Sequence, residues 1–204
     1  MTGKILIFDY DGVIADSLDS AIRLTNNIFK KYGIKEVKNK EEFCEFFNNN
    51  FYDGVLEWGM PKERVEDMLE DFTERAKKEK ILLFPGVGKM VKKLAINNKL
   101  FIVTSNTTET VKESLRRNCI TEFNEILGAD KERSKVKKIT AIKKKYPDSE
   151  VYYIGDTRGD ISDGKKANVR TIATTWGFHN RKTLEKENPD YIFDNIEGLV
   201  DFLA

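Results

Sequence analysis

Short apolar runs closed by turn or polar residues recur along the chain, and their alternation with helically spaced segments constrains the fold more than any other feature. The runs are Ile5–Phe8, Leu100–Val103, Val151–Ile154, Thr171–Ala173 and Tyr191–Phe193, with a weaker one at Glu125–Leu127. Between them, Val87, Met90, Val91 and Leu94, and again Val136, Ile139, Ile142 and Tyr146, repeat every three or four residues, the spacing of one helix face. Strand, helix, strand in succession implies an α/β fold: a parallel, Rossmann-like sheet wrapped by right-handed crossover helices. With 40% hydrophobic residues in 204, the chain has ample material for such a core.

The rhythm breaks once. From about Leu18 to Lys80 no strand pattern occurs, only helical spacings such as Ala21, Leu24, Ile28 and Val65, Met68, Leu69, Phe72. We expect a small helical subdomain over residues 16–82, inserted into a sheet domain made of residues 1–15 and 83–204. The aromatics Phe43, Phe46, Phe47, Phe51, Tyr52 and Trp58 fall in this insertion and read as its core. Asp16 and Ser17 are placed to cap its first helix.

Ligands of parallel sheets gather at the carboxyl ends of the strands, so the residues just past each run carry the chemistry. The first run ends in Asp9-Tyr10-Asp11-Gly12, where an extended backbone would point both carboxylates to one side. The second runs into Thr104-Ser105-Asn106, hydroxyls and an amide opening a helix whose N-terminal amides suit an anion. A third ends in Gly155-Asp156-Thr157-Arg158-Gly159-Asp160. Clustered carboxylates without His or Cys suit a hard cation, Mg²⁺ before zinc. Beside a phosphate site, they suggest phosphoryl transfer with an Asp nucleophile. Of the eight basic residues between Lys131 and Lys145, Lys135 stands at a helix start and could face the strand ends. Lys137, Lys138, Lys144 and Lys145 read as solvated.

Together these residues resemble the haloacid dehalogenase superfamily of phosphatases, and its phosphoglycolate-phosphatase-like branch in particular. Asp9-Tyr10-Asp11-Gly12-Val13 is similar to the first family motif, Thr104-Ser105-Asn106 to the second, Lys135 to the third, and Gly155-Asp156 with Asp160 to the fourth, in the family's order. The helical insertion is similar to the family's cap, which makes residues 16–82 the expected cap and the rest the catalytic core, and Leu83-Phe84-Pro85-Gly86-Val87 resembles the usual return from cap to core. Asn168 stands where Gly is usual, and Asn tolerates a left-handed turn. The resemblance implies Asp9 as nucleophile, Asp11 as general acid and base, and Thr104, Ser105, Asn106 and Lys135 as the phosphate site. It implies Mg²⁺ held by Asp9, Asp11 and Asp156, with Asp160 as an outer ligand. Asp11 disfavours dehalogenase and phosphonate-hydrolase activity, because carbon-linked leaving groups need no protonated oxygen. The expected substrate is a small phosphorylated metabolite, phosphoglycolate or a sugar phosphate ahead of a nucleotide. A phosphomutase of the β-phosphoglucomutase type and a non-catalytic regulatory module are the alternatives.

Other partners find little support. Lys+Arg number 35 and Asp+Glu 34, so no global field marks nucleic acid or membrane as a partner. The N-terminal apolar stretch is interrupted at Asp9, too early for a leader, and no run approaches the roughly 18 apolar residues of a spanning helix; a cytoplasmic location is expected. Cys44 and Cys119 are far apart with no metal-ligand spacing and read as free thiols. His179, the only histidine, reads as structural.

Overall fold

The computed structural model describes residues 3–48, 51–77, 79 and 81–204. Met1, where the stretch read for a leader begins, and Lys80, the limit of the strand-free segment, lie outside the described residues. The elements in chain order are β1 (Ile5–Phe8), β2 (Ala15–Asp16), α1 (Leu18–Tyr32), α2 (Lys40–Glu45), α3 (Phe51–Glu57), α4 (Val65–Ala76), β3 (Leu82–Leu83), α5 (Val87–Leu94), β4 (Lys99–Val103), α6 (Thr108–Arg117) and β5 (Glu125–Leu127). They continue as α7 (Lys135–Lys145), β6 (Val151–Gly155), α8 (Arg158–Lys166), β7 (Arg170–Thr174), α9 (Arg181–Glu185), β8 (Tyr191–Phe193) and α10 (Ile196–Leu203).

Six strands form one parallel sheet in the order β5-β4-β1-β6-β7-β8. The expected α/β architecture is present, and every apolar run named from sequence lies within one of these strands. Strand alternation sorts the core into two layers. Leu6, Phe8, Leu100, Ile102, Tyr152 and Ile154 pack with α5, α6 and α10 on one face. Ile5, Ile7, Phe101, Val103, Val151 and Tyr153 pack with Ile139 and Ile142 of α7 on the other. From β1 the chain builds outward to β4 and β5, then returns to the opposite flank of β1 to build β6, β7 and β8. That reversal leaves a crevice at the carboxyl end of β1.

Helices α1 to α4 enclose a separate apolar cluster in which Ile28, Phe29, Phe43, Phe46, Val55 and Met68 are buried. Its rings meet edge to face, with Phe43–Phe46 centroids at 5.7 Å and Phe46–Trp58 at 5.3 Å. A short antiparallel ribbon, β2 with β3, links the chain entering this bundle to the chain leaving it. Two residues are too few for periodicity to reveal, so the ribbon has no sequence signature. Ser17 takes the N-cap position of α1, but its buried hydroxyl accepts no helix amide, so the expected cap is absent there. Asn168 has φ 54°, the left-handed turn expected of it.

Candidate active site

The alternation of β1 decides which way its carboxylate faces. Ile5 and Ile7 point to the α7 layer, so Asp9 follows on that side, whereas Phe8 and Tyr10 join the opposite core. The Tyr10 hydroxyl ends 2.5 Å from Ser114 Oγ on α6. Helix α7 begins at Lys135 behind the N-cap Ser134. Its first side chain reaches back to the strand ends, with Nζ 2.9 Å from Asp9 Oδ2 and 2.8 Å from Asp160 Oδ1. Asp160 is fixed by a capping box at the start of α8: its Oδ2 accepts the Thr157 amide at 3.2 Å and the Thr157 hydroxyl at 2.5 Å. Its Oδ1 also accepts the Tyr153 hydroxyl at 2.8 Å. Burial alone would raise Asp160, but Lys135, Thr157 and Tyr153 outweigh it and hold the carboxyl below its ordinary value. Burial would lower Lys135, yet Asp160 and Asp9 hold its ammonium well above the usual range. Burial pushes Asp9 up to about 7 against the opposing pull of Lys135.

Asp156, past the end of β6, is fully buried. Its Oδ2 accepts the Phe178 amide at 2.7 Å, while its Oδ1 has no hydrogen-bond partner among the described residues. An orphaned buried carboxylate oxygen is costly unless something charged completes it. Oxygens of Asp9, Asp156 and Asp160 lie within 4.8 Å of one another, and among the described residues Lys135 is the one ammonium paired with them. Burial, with Asp160 and Asp9 adding repulsion, drives the Asp156 carboxyl well above its ordinary value. An all-oxygen donor set with surplus negative charge and an unsatisfied oxygen fits a hard divalent cation such as Mg²⁺. Asp9 and Asp156 are the available donors. Asp160 already takes four hydrogen bonds, so it orients the group from behind.

Two glycines make room for Asp156. A Cβ at Gly12, whose φ is 75°, would lie 1.9 Å from Asp156 Oδ2, and a Cβ at Gly177 would lie 2.2 Å from the same atom. Just before Gly12 the Asp11 carboxylate accepts the Asn106 side-chain amide at 2.5 Å. Burial raises the Asp11 carboxyl, the direction a proton donor requires.

The loop after β4 differs from expectation in detail. Thr104 is fully buried, its hydroxyl accepting the Asn106 amide at 3.0 Å, and Ser105 rather than Thr104 lines the open cavity. The N-cap of α6 is Thr107, one residue beyond the Thr104-Ser105-Asn106 stretch. Asp130 braces this helix start by accepting the Thr108 amide at 2.6 Å and hydroxyl at 2.9 Å.

Lys138 overturns the reading that placed it in solvent. It is 3% exposed and donates to the Thr104 carbonyl at 2.7 Å. Burial, with Lys135 adding to it, pulls its ammonium down to about 8. Only its position three residues after Lys135, on the same side of the helix, could have signalled this.

The cavity over these groups has a volume of about 740 Å³. The core lines its floor with Asp9, Asp11, Ser105 and Lys135, while Phe47, Phe51, Tyr52 and Leu69 of the helical bundle form its roof. The aromatics read from sequence as bundle core therefore divide: Phe43 and Phe46 are buried, whereas Phe47, Phe51 and Tyr52 are half-buried and line the cavity. Arg133 crosses between core and bundle, donating to both oxygens of Glu66 at 2.7 and 2.5 Å. His179 is buried outside this cavity. Its Nδ1 accepts the Arg158 amide at 3.0 Å, and Nε2 meets the Cys44 carbonyl at 3.0 Å, the structural role expected of it.

Residues 6–174 match the haloacid dehalogenase-like hydrolase family. The chain is 22% identical over 208 residues to a phosphoglycolate phosphatase of Synechococcus elongatus, spanning 97% of this chain and 95% of that one. It is 23% identical over 210 residues to the pyrophosphatase PpaX of Bacillus mycoides, spanning 98% and 96%. The structure of a haloacid dehalogenase-like hydrolase from Streptococcus pneumoniae superposes with a TM-score of 0.85 at 21% identity, covering 100% of this chain and 99% of that one. Among the described residues no helix is long and apolar enough to cross a membrane. The chain is an enzyme of the haloacid dehalogenase-like hydrolase family, and curated relatives that it matches along nearly their whole length are phosphatases.

Proposed function

We propose that the protein is a Mg²⁺-dependent phosphatase that hydrolyses a small phosphomonoester through an aspartyl-phosphate on Asp9. The observation that carries this reading is the Asp9–Lys135–Asp160 chain beside the orphaned Asp156 oxygen, which joins a nucleophile, a fixed positive charge and a cation site at one strand end. The bundle of α1 to α4 is the cap, with residues 16–82 as its limits.

Asp9 attacks phosphorus and the bond to the ester oxygen breaks; Asp11 gives its proton to that leaving oxygen. The Asp11 carboxylate then takes a proton from water, whose oxygen attacks phosphorus, releasing phosphate and restoring Asp9. Lys135 offsets the charge of Asp9 and of the phosphoryl oxygens, Ser105 with the amides after it holds those oxygens, and the buried Thr104 and the Asp11-bound Asn106 shape the loop that presents them. Lys138 anchors this loop through the Thr104 carbonyl. Asp9, the Asp11 carbonyl and Asp156 would hold Mg²⁺, which would supply positive charge that favours the ionised nucleophile and polarises the phosphoryl group. The cap over the site limits water during the first step.

Phosphoglycolate and pyrophosphate, named in the relatives, and sugar phosphates form the first panel. Phosphate release should require Mg²⁺, stop with EDTA, and be lost in Asp9→Asn. Release that survives Asp9→Asn would refute Asp9 as the nucleophile.

A further inference from the structure

We propose that the leaving group of the substrate is a ring-bearing alcohol, nucleoside or aryl, that carries no second anion. The inference rests on the phosphatase reading of the site and concerns the half of the cavity that reading leaves undescribed.

Three observations converge. At about 740 Å³ the cavity offers far more room than a phosphoryl group and a two-carbon acid fill, and it falls in the range that holds drug-sized ligands. Its roof is apolar: Phe47 and Phe51 stack with centroids 5.7 Å apart and planes 27° from parallel, and Phe47 meets Phe178 edge to face at 5.1 Å. Both stacked rings are half-buried, so they still present surface to the cavity. Aromatic faces of this kind hold flat rings by stacking and offer nothing to a carboxylate.

Charge points the same way. The Asp163 carboxylate lines the cavity, and among the described residues no hydrogen bond or ion pair engages it. Asp130 lines it as well. The lining cations among the described residues are committed, Lys135 to Asp9 and Asp160, and Arg133 to Glu66 through its two terminal guanidinium nitrogens. A second anion, such as the carboxylate of phosphoglycolate or the second phosphate of pyrophosphate, would meet aromatic surface and Asp163 with no unpaired cation to receive it, a costly desolvation. A neutral leaving group instead brings a ring to the roof and a hydroxyl or N–H for Asp163 to accept.

The test compares kcat/KM for adenosine 5′-monophosphate, phenyl phosphate, glucose 6-phosphate, phosphoglycolate and pyrophosphate in the wild type, Phe51→Ala, Phe51→Leu and Asp163→Asn. Ratios between substrates within one preparation are insensitive to the folded fraction, so a variant that folds poorly remains informative. The two flat-ring esters, adenosine 5′-monophosphate and phenyl phosphate, should lead in the wild type over glucose 6-phosphate, whose ring is saturated, with the better of the two identifying a nucleoside or an aryl alcohol. Phe51→Ala should lower their kcat/KM by roughly five- to hundredfold relative to phosphoglycolate, mainly through KM, and Phe51→Leu should restore little. Asp163→Asn should raise phosphoglycolate and pyrophosphate several-fold relative to the ring-bearing esters. A wild type that prefers glucose 6-phosphate, phosphoglycolate or pyrophosphate, or a Phe51→Ala variant that lowers every substrate equally, overturns the inference. If no ester turns over, the phosphatase reading falls. Titrating the same compounds onto Asp9→Asn protein then decides the leaving-group question: tighter binding of the ring-bearing phosphates upholds it, and equal or weaker binding ends it.

Discussion

Replacing Gly12 by Ala tests the cradle around Asp156, because the chain contains its own control. Gly12 and Gly33 have nearly the same backbone, φ 75° and 71°, but a Cβ at Gly33 meets nothing within 4 Å, while at Gly12 it would lie 1.9 Å from Asp156 Oδ2 and 2.5 Å from its Cγ. Gly33→Ala should therefore cost only the left-handed strain, roughly 1–2 kcal/mol. Gly12→Ala carries the same strain and must also displace a carboxylate by about 1.5 Å to regain an ordinary contact. The displacement strains packing by about 1–3 kcal/mol and weakens the buried hydrogen bond from the Phe178 amide, worth about 0.5–1.5 kcal/mol when intact. The total is roughly 3–6 kcal/mol. For a chain of this size, at about 2–4 °C per kcal/mol, Tm should fall by roughly 10–20 °C at Gly12 against about 5 °C at Gly33. Urea and thermal unfolding without added metal measure both. In an Asp156→Ala background, where the clashing oxygens are gone, Gly12→Ala should cost no more than Gly33→Ala does in the wild type, a coupling of several kcal/mol. Equal losses at the two glycines, or a Gly12 cost unchanged in that background, would refute the cradle.

Two further predictions follow from the buried charges. Mg²⁺ at about a hundred times its dissociation constant should stabilise the folded state by about 2.7 kcal/mol and raise Tm by about 5–10 °C, and Asp156→Asn should remove that shift; a melting curve indifferent to Mg²⁺ would count against the cation site. Lys138 loses its proton near pH 8 when folded and near 10.5 when unfolded, so between those values the unfolded chain binds more protons and stability should rise with pH. The rise is on the order of 3 kcal/mol, and denaturation midpoints of Lys138→Met measured from pH 7 to 10 should lack it relative to wild type.

Much of the site was legible because strand ends and helix starts are sequence-local features. Asp9, Asp156 and Lys135 each lie next to an element boundary that periodicity marks, and the structure brings all three together. Lys138 was not legible, because a lysine at the edge of an apolar stripe has the same local pattern whether solvent or another loop lies over it. Here the loop at Thr104 lies over it. Likewise Phe43 and Phe47 are indistinguishable by composition, and only the seating of the helical bundle on the sheet buries one and turns the other toward the cavity.

By itself the sequence determined the alternation of strands and helices, the interruption by a helical segment, and the order of the polar strand ends, because these follow from periodicities within some twenty residues. The tertiary structure decided what each carboxylate meets. Asp160 receives four donors and Asp156 Oδ1 none, although both belong to one six-residue stretch. Those partners arrive from α7, β6 and the loop at Phe178, and their burial sets the electrostatic cost that makes one carboxylate a support and leaves the other open to a cation.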